Sequence, residues 1–83
     1  MKIGIAGSME SNDCLITVKT SNELIITIQS IVYDFFHDQI ERVIKETLSE
    51  LNINHIHVIC QDKGALDYTI KARLITAIKR MEA

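Results

Sequence analysis

Two runs of alternating residues, "DCLITVKT" (13–20) and "ELIITIQS" (23–30), constrain this chain more than any other feature. Cys14, Ile16 and Val18 alternate with Leu15, Thr17 and Lys19. Leu24, Ile26 and Ile28 alternate with Ile25, Thr27 and Gln29. A period of two sends successive side chains to opposite faces, the pattern of a strand covered on one side. The short polar "SN" between the runs predicts a hairpin. "HIHVICQD" (55–62) predicts a third strand, with Ile56, Val58 and Cys60 on one face.

Two other stretches change period. "YDFFHDQIERVIKETLSELN" (33–52) sets Phe36, Ile40, Val43, Ile44, Thr47, Leu48 and Leu51 at three-and-four spacing, an amphipathic helix. Glu41 and Lys45 form an i,i+4 pair in the favourable order. Ser30, Asp34 and Asp38 each offer a cap at its start, and Asn52 or Asn54 ends it, because asparagine tolerates the left-handed cap conformation. "LDYTIKARLITAIKRM" (66–81) is a second helix, with Leu66, Ile70, Leu74, Ala77, Ile78 and Met81 on one side. Lys79 and Arg80 in its last turn suit the helix dipole.

The order is β-β-α-β-α, an α+β class. Three strands cannot close a barrel, so one sheet with both helices on one face is the economical arrangement. The covered face is expected to hold Ile16, Val18, Leu24, Ile26, Ile28, Ile56 and Val58. The second strand, first helix and third strand can form a right-handed crossover. The first strand is expected between the other two. With 83 residues the chain is one domain. A domain of this size buries only about 60–65% of its unfolded surface. It has no room for an enclosed substrate cavity and a second domain to cover it, which favours a carrier, adaptor or subunit.

A net charge of −2 and four aromatic residues, with no basic stripe, argue against nucleic-acid binding. No apolar run approaches the ~20 residues that span a bilayer, and the N-terminus lacks a signal-peptide core. A cytoplasmic protein is expected. Cys14 and Cys60 are read as buried, reduced thiols.

The opening "MKIGIAG" suggests a dinucleotide-binding turn, but the glycine spacing is wrong and a strand follows where a helix is required. Residues 1–12 are instead expected to be an exposed, flexible lead-in to the first strand. Within it, Ser11 lies between Glu10 and the turn-forming Asn12–Asp13. A lone serine without a base is a poor nucleophile. Ser11 is therefore either an ordinary solvated serine or a site modified by another enzyme. His55 and His57 share one strand face, a spacing that could ligate a metal; with no third ligand evident, ordinary surface histidines and no metal site are expected. His37, beside Asp38, is read as a polar surface residue. "DKGALD" (62–67) is a turn in which Gly64 can take a positive φ and Asp62 or Asp67 can complement a helix N-terminus. Alternatively, Asp62, Lys63, Gly64 and Asp67 form a surface that partner enzymes recognise.

Taken together, "AGSMESND", the strand–strand–helix order and "DKGALDYTIKARL" resemble the citrate lyase acyl carrier proteins, the small gamma subunits of that enzyme. The first segment is similar to that family's A-G-[ST]-x-E-S-[GN]-D, the second to its D-K-G-A-L-D-x-x-x-x-A-R-L. The resemblance implies that Ser11 carries phosphoribosyl-dephospho-coenzyme A through a phosphodiester, with Glu10, Asn12 and Asp13 as the flanking recognition motif. Asn12 stands where glycine is common, and it tolerates the same left-handed backbone. The resemblance further implies a carrier with no catalytic residues of its own. Its arm would hold acetyl and then citryl thioesters while citrate is cleaved to acetate and oxaloacetate. The implied partners are the alpha (acyl transferase) and beta (citryl lyase) subunits, a prosthetic-group transferase and an acetylating ligase. A carrier of citramalate lyase or malonate decarboxylase, a small non-covalent interaction module and a metal-dependent enzyme using His55 and His57 are the alternatives.

Overall fold

Alternating inward and outward side chains build a sheet of four strands: β1 (Ile3–Gly7), β2 (Cys14–Thr20), β3 (Leu24–Ser30) and β4 (Ile56–Asp62). Helix α1 (Tyr33–Glu50) connects β3 to β4, and α2 (Asp67–Glu82) follows β4. The structure is a computed structural model and describes residues 2–30 and 33–83. Of the three candidate caps for α1, Asp34 lies outside the residues whose side chains are described. The Ser30 hydroxyl donates to Asp62 Oδ2 at 2.9 Å.

The strand order is β1-β2-β4-β3, which corrects two expectations. The sheet has four strands rather than three, because Ile3–Gly7 pairs antiparallel with β2 instead of leading into it. Of the three strands expected from the sequence, β4 and not β2 lies between the other two: it pairs antiparallel with β2 and parallel with β3. The runs at 13–20 and 23–30 therefore do not form a hairpin. The link between them crosses the end of β4, where the Ile56 amide donates to the Glu23 carbonyl at 3.2 Å. Inserting one strand separates β2 from β3 by about 10 Å, a gap that residues 21–23 can reach at roughly 3.3 Å per residue. The parallel β3–α1–β4 unit expected from the sequence is present.

Both helices pack on one face, α1 over β3 and α2 over β1 and β2. That face supplies Ala6, Cys14, Ile16, Val18, Ile56, Val58 and Cys60, all buried, with Ile26 and Ile28 partly covered. Leu24, at the end of the outer strand β3, is 43% exposed and does not belong to the covered set. The helices contribute Ile40, Val43, Ile44 and Leu48 from α1 and Ile70, Leu74, Ala77 and Ile78 from α2. Phe36, Leu51 and Leu66, at the ends of the two apolar stripes, are exposed. Thr47 stays in the core by donating its hydroxyl to the Val43 carbonyl at 2.8 Å. Glu41 and Lys45 pair as expected, at 3.6 Å.

Helix α1 stops at Asn52, whose φ is 56°. The Ile53 amide returns to the Leu48 carbonyl and the Asn52 amide to Ser49, the paired bonds that satisfy a helix C-terminus when a left-handed residue follows. At the other edge, Arg80 in the last turn of α2 donates to the Ile5 carbonyl at 2.8 Å, covering an edge-strand acceptor that would otherwise face solvent.

Strand β1 sits under α2 because its inward residues are small. A Cβ on Gly4 would overlap the Ala77 carbonyl and lie 2.6 Å from the Met81 amide nitrogen. Gly4→Ala should therefore lower stability by about 1–3 kcal/mol, as overpacking against backbone does, and lower the urea midpoint. Gly4→Ala at the wild-type midpoint would contradict the close approach of β1 and α2.

Candidate functional site

The loop joining β1 to β2 spans residues 8–13. Its chain reversal uses Gly7 at φ 101° and Asn12 at φ 65°. Gly7 has no alternative, since a Cβ there would overlap the Cys14 carbonyl as well as demand an unfavourable φ. Asn12 takes the left-handed conformation as its side chain permits.

Asp13 organises the loop. Its Oδ1 accepts from the Cys14 amide at 2.7 Å and from Arg73 Nε at 3.0 Å. Its Oδ2 accepts from the Ser8 hydroxyl at 2.8 Å and from Arg73 Nη2 at 2.9 Å. The two guanidinium bonds form a bidentate fork, the strongest geometry for such a pair. These donors favour the carboxylate, Arg73 foremost, then Ser8 and the Cys14 amide, and hold the Asp13 pKa at about 2. Asp13 in turn raises the Arg73 pKa. Arg73 comes from the middle of α2, so the fork ties the loop to the helix that covers β1 and β2. Arg73 had no role assigned from the sequence. Its only signal was its place in the segment "KARL", at a distance of sixty residues from its partner.

A second attachment comes from "DKGALD". The Asn12 amide donates to the Lys63 carbonyl at 2.8 Å, and the Lys63 amide donates to the Asp13 carbonyl at 2.9 Å. These bonds extend the β2–β4 ladder past the strand ends and bring the two sequence motifs side by side. Gly64, at φ 94°, presents its α-carbon toward Asn12, whose Oδ1 lies 3.5 Å from where a Cβ would be. Asp62 is buried and shapes this turn: Oδ2 accepts from the Gly64 amide at 3.1 Å and Oδ1 from the Ala65 amide at 2.9 Å. Asp62 thus caps its own turn rather than a helix. Asp67 lies in the first turn of α2, where a carboxylate suits the dipole, and accepts from Gln39 Nε2 at 2.8 Å.

Ser11 stands at the exposed tip of the loop between Glu10 and Asn12, both exposed. Among the described residues its hydroxyl has no hydrogen-bond partner, whereas the Ser8 hydroxyl donates to Asp13 and accepts from the Glu10 amide at 3.3 Å. The two serines of the loop are therefore chemically distinct.

The remaining candidates lie elsewhere. His57 Nε2 sits 3.1 Å from Thr27 Oγ1 on the helix-free face, and His55 is exposed before β4. Nδ1 of His37 lies 3.4 Å from Asp38 Oδ1. Among the described residues no three His, Cys, Asp or Glu side chains converge as a metal set. Cys14 and Cys60 are free, fully buried thiols. Cys14, together with burial, pushes the Cys60 pKa far above the ordinary thiol range, so Cys60 is inert as a nucleophile.

Known proteins resemble the chain over nearly its whole length. Residues 1–81 match the family described as malonate decarboxylase delta subunit (MdcD). The citrate lyase acyl carrier protein of Halothermothrix orenii is 46% identical over 76 residues, 90% of this chain and 81% of that protein. The citrate lyase acyl carrier protein of Streptococcus mutans serotype c is 50% identical over 78 residues, 92% of this chain and 76% of that protein. The protein of the same name from Treponema denticola is 40% identical, covering 92% of this chain and 87% of its own.

The fork makes stability depend on acid. Asp13 holds its proton less tightly folded (about 2) than at its ordinary value of 3.8, so its contribution is complete above about pH 4 and is lost as pH falls toward 2. Arg73 is 42% exposed, so solvent screens part of the attraction. Asp13→Asn should cost about 1–2 kcal/mol at pH 7 and flatten the fall in urea midpoint between pH 4 and 2. An acid limb unchanged in Asp13→Asn would show that this carboxylate does not hold the loop.

Proposed function

The chain belongs to the family of citrate lyase acyl carrier proteins, and we propose that it is the acyl carrier subunit of a citrate lyase, with its prosthetic arm joined to Ser11. The observation that carries this reading is the contrast within the loop: one serine free at the tip, the other bound to the Asp13 carboxylate. The arm implied by the family is phosphoribosyl-dephospho-coenzyme A, whose terminal thiol would carry acetyl and citryl as thioesters.

The residues present fit such a group. The Ser11 oxygen can supply one ester oxygen of a phosphodiester without breaking a hydrogen bond or burying charge. Asn12 and Asp13 behind it are fixed to Lys63 and Arg73, so the hydroxyl projects from a held base. Met9, Glu10 and Ser11 are the exposed part of the opening segment that a transferase would meet first. Glu10 and Asn12 flank the hydroxyl and are exposed for recognition. Lys63, Gly64 and Asp67 lie on the adjoining turn, where a partner holding the loop would meet them.

Among the described residues no base is hydrogen-bonded to the Ser11 hydroxyl. Asp13 is the nearest organised carboxylate, but its oxygens are occupied by four donors, and a group with a pKa near 2 is a weak base at neutral pH. Deprotonation of the serine therefore belongs to the transferase, and the later acyl exchange and cleavage to the alpha and beta subunits, with acetylation of the thiol by a ligase. The contribution of this domain is delivery: tethering raises the effective concentration of the thioester at each partner site. No helix among the described residues is long and apolar enough to cross a membrane, and we place the complex in the cytoplasm. The description of the matched family favours a malonate decarboxylase carrier as the second reading. The relatives at 40–50% identity favour citrate lyase.

Co-expression with the prosthetic-group transferase and intact-mass analysis test the assignment. Ser11→Ala should gain no adduct and retain the wild-type urea midpoint within about 0.5 kcal/mol. Ser8→Ala should be slightly less stable, having lost a bond to Asp13, yet still gain the adduct. An adduct on Ser11→Ala would refute the attachment site.

A further inference from the structure

A cleft of about 490 Å³ opens between the N-terminal ends of α1 and α2, lined by Phe36, Ile40, Gly64, Leu66, Tyr68 and Ile70. Its volume and apolar character are those of an ordinary cofactor site, about 300–1,000 Å³. Three of its walls are large side chains left in solvent: Phe36 is 46%, Leu66 58% and Tyr68 73% exposed. They lie at the N-terminal ends of the two helices, outside the part of each apolar stripe that is buried against the sheet.

The cleft is continuous with the attachment loop. Gly64 forms part of its lining and lies against the Asn12 side chain. Ser11 is one Cα step, about 3.8 Å, from Asn12. A linker of phosphoribosyl length on the Ser11 hydroxyl is long enough to pass Asn12 and reach Gly64 at the rim.

The lining chooses among the chemical parts of such an arm. Asp62 and Asp67 line the same cleft, and the Asp67 carboxylate is at its outer end with Gln39. Phosphate groups are repelled there. A flat, uncharged heteroaromatic ring is not: it can stack on Phe36 or Tyr68, as bases do on aromatic side chains. In an arm built from phosphoribosyl-dephospho-coenzyme A, the phosphoribosyl unit stands between serine and nucleoside, so the purine is the first apolar group from the attachment point.

We propose that this cleft docks the purine of the arm and leaves the pantetheine chain to swing, an inference that rests on the attachment at Ser11. Docking shortens the mobile part of the arm to the chain beyond the pyrophosphate. The volume swept by the thiol shrinks, and its concentration near the domain surface rises.

The test is made on the modified full-length chain. Intact mass and peptide fragmentation first locate the adduct; its absence from Ser11 would remove the carrier reading and this inference with it. With the adduct present, the purine H2 and H8 resonances should lie upfield of those of free dephospho-coenzyme A and show nuclear Overhauser contacts to the rings of Phe36 and Tyr68. Leu66→Glu, at an exposed position that leaves the core intact, should abolish those contacts while keeping the adduct mass. An adduct-bearing wild type with free-nucleotide shifts and no ring contacts would overturn the docking alone. Contacts that survive Leu66→Glu would overturn the part assigned to Leu66, and purine contacts to residues outside this lining would overturn the assignment to this cleft.

Discussion

The bidentate pair between Asp13 and Arg73 is the constraint on which the site depends. The loop at 8–13 must reverse the chain between two strands and yet expose one hydroxyl without collapsing onto the sheet. Asp13 solves this by facing inward, gathering the Cys14 amide, the Ser8 hydroxyl and both guanidinium bonds. Each donor that it collects is one that the tip does not need. Ser11 is left over because its neighbours are satisfied, and an unengaged hydroxyl is what a modifying enzyme requires.

The pair also explains why α2 lies where it does. Arg73 can reach Asp13 only if the helix crosses directly over β1 and β2, and that crossing requires small residues beneath it. Gly4 on β1 faces Ala77 and Met81 on α2, and Ala6 is buried in the same core. Closeness at the helix, a left-handed turn at Gly7 and the fork at Asp13 are thus one geometric solution. Lys63 and Gly64 complete it from the β4 side, joining the loop to the parallel crossover unit that carries α1.

Much of this was legible beforehand. The alternation of 13–20, 23–30 and 55–62, and the apolar stripes of both helices, marked three strands, two helices and the covered face apart from Leu24, which is exposed at the end of β3. Strand β1 was missed because glycine and alanine occupy its inward positions, so Ile3 and Ile5 alternate with residues that carry almost no hydrophobic signal. Strand order was missed because a two-residue polar link reads locally as a hairpin. That β4 inserts between β2 and β3 is a long-range pairing that local pattern cannot reveal. The motif residues were visible as two separate turns. Their contact, and the part played by Arg73, appear only when the sheet aligns Cys14 with Asp62.

The central claim is that this loop presents Ser11 and withholds Ser8, and the most direct measurement is fragmentation mass spectrometry of the carrier purified from its own cells. Both serines fall in one tryptic peptide, between Lys2 and Lys19, so backbone fragments between them separate the alternatives. The account predicts the mass of the prosthetic group on fragments that contain Ser11 and its absence from fragments ending at Ser8. The adduct on Ser8, or an unmodified peptide from cells cleaving citrate, would contradict it.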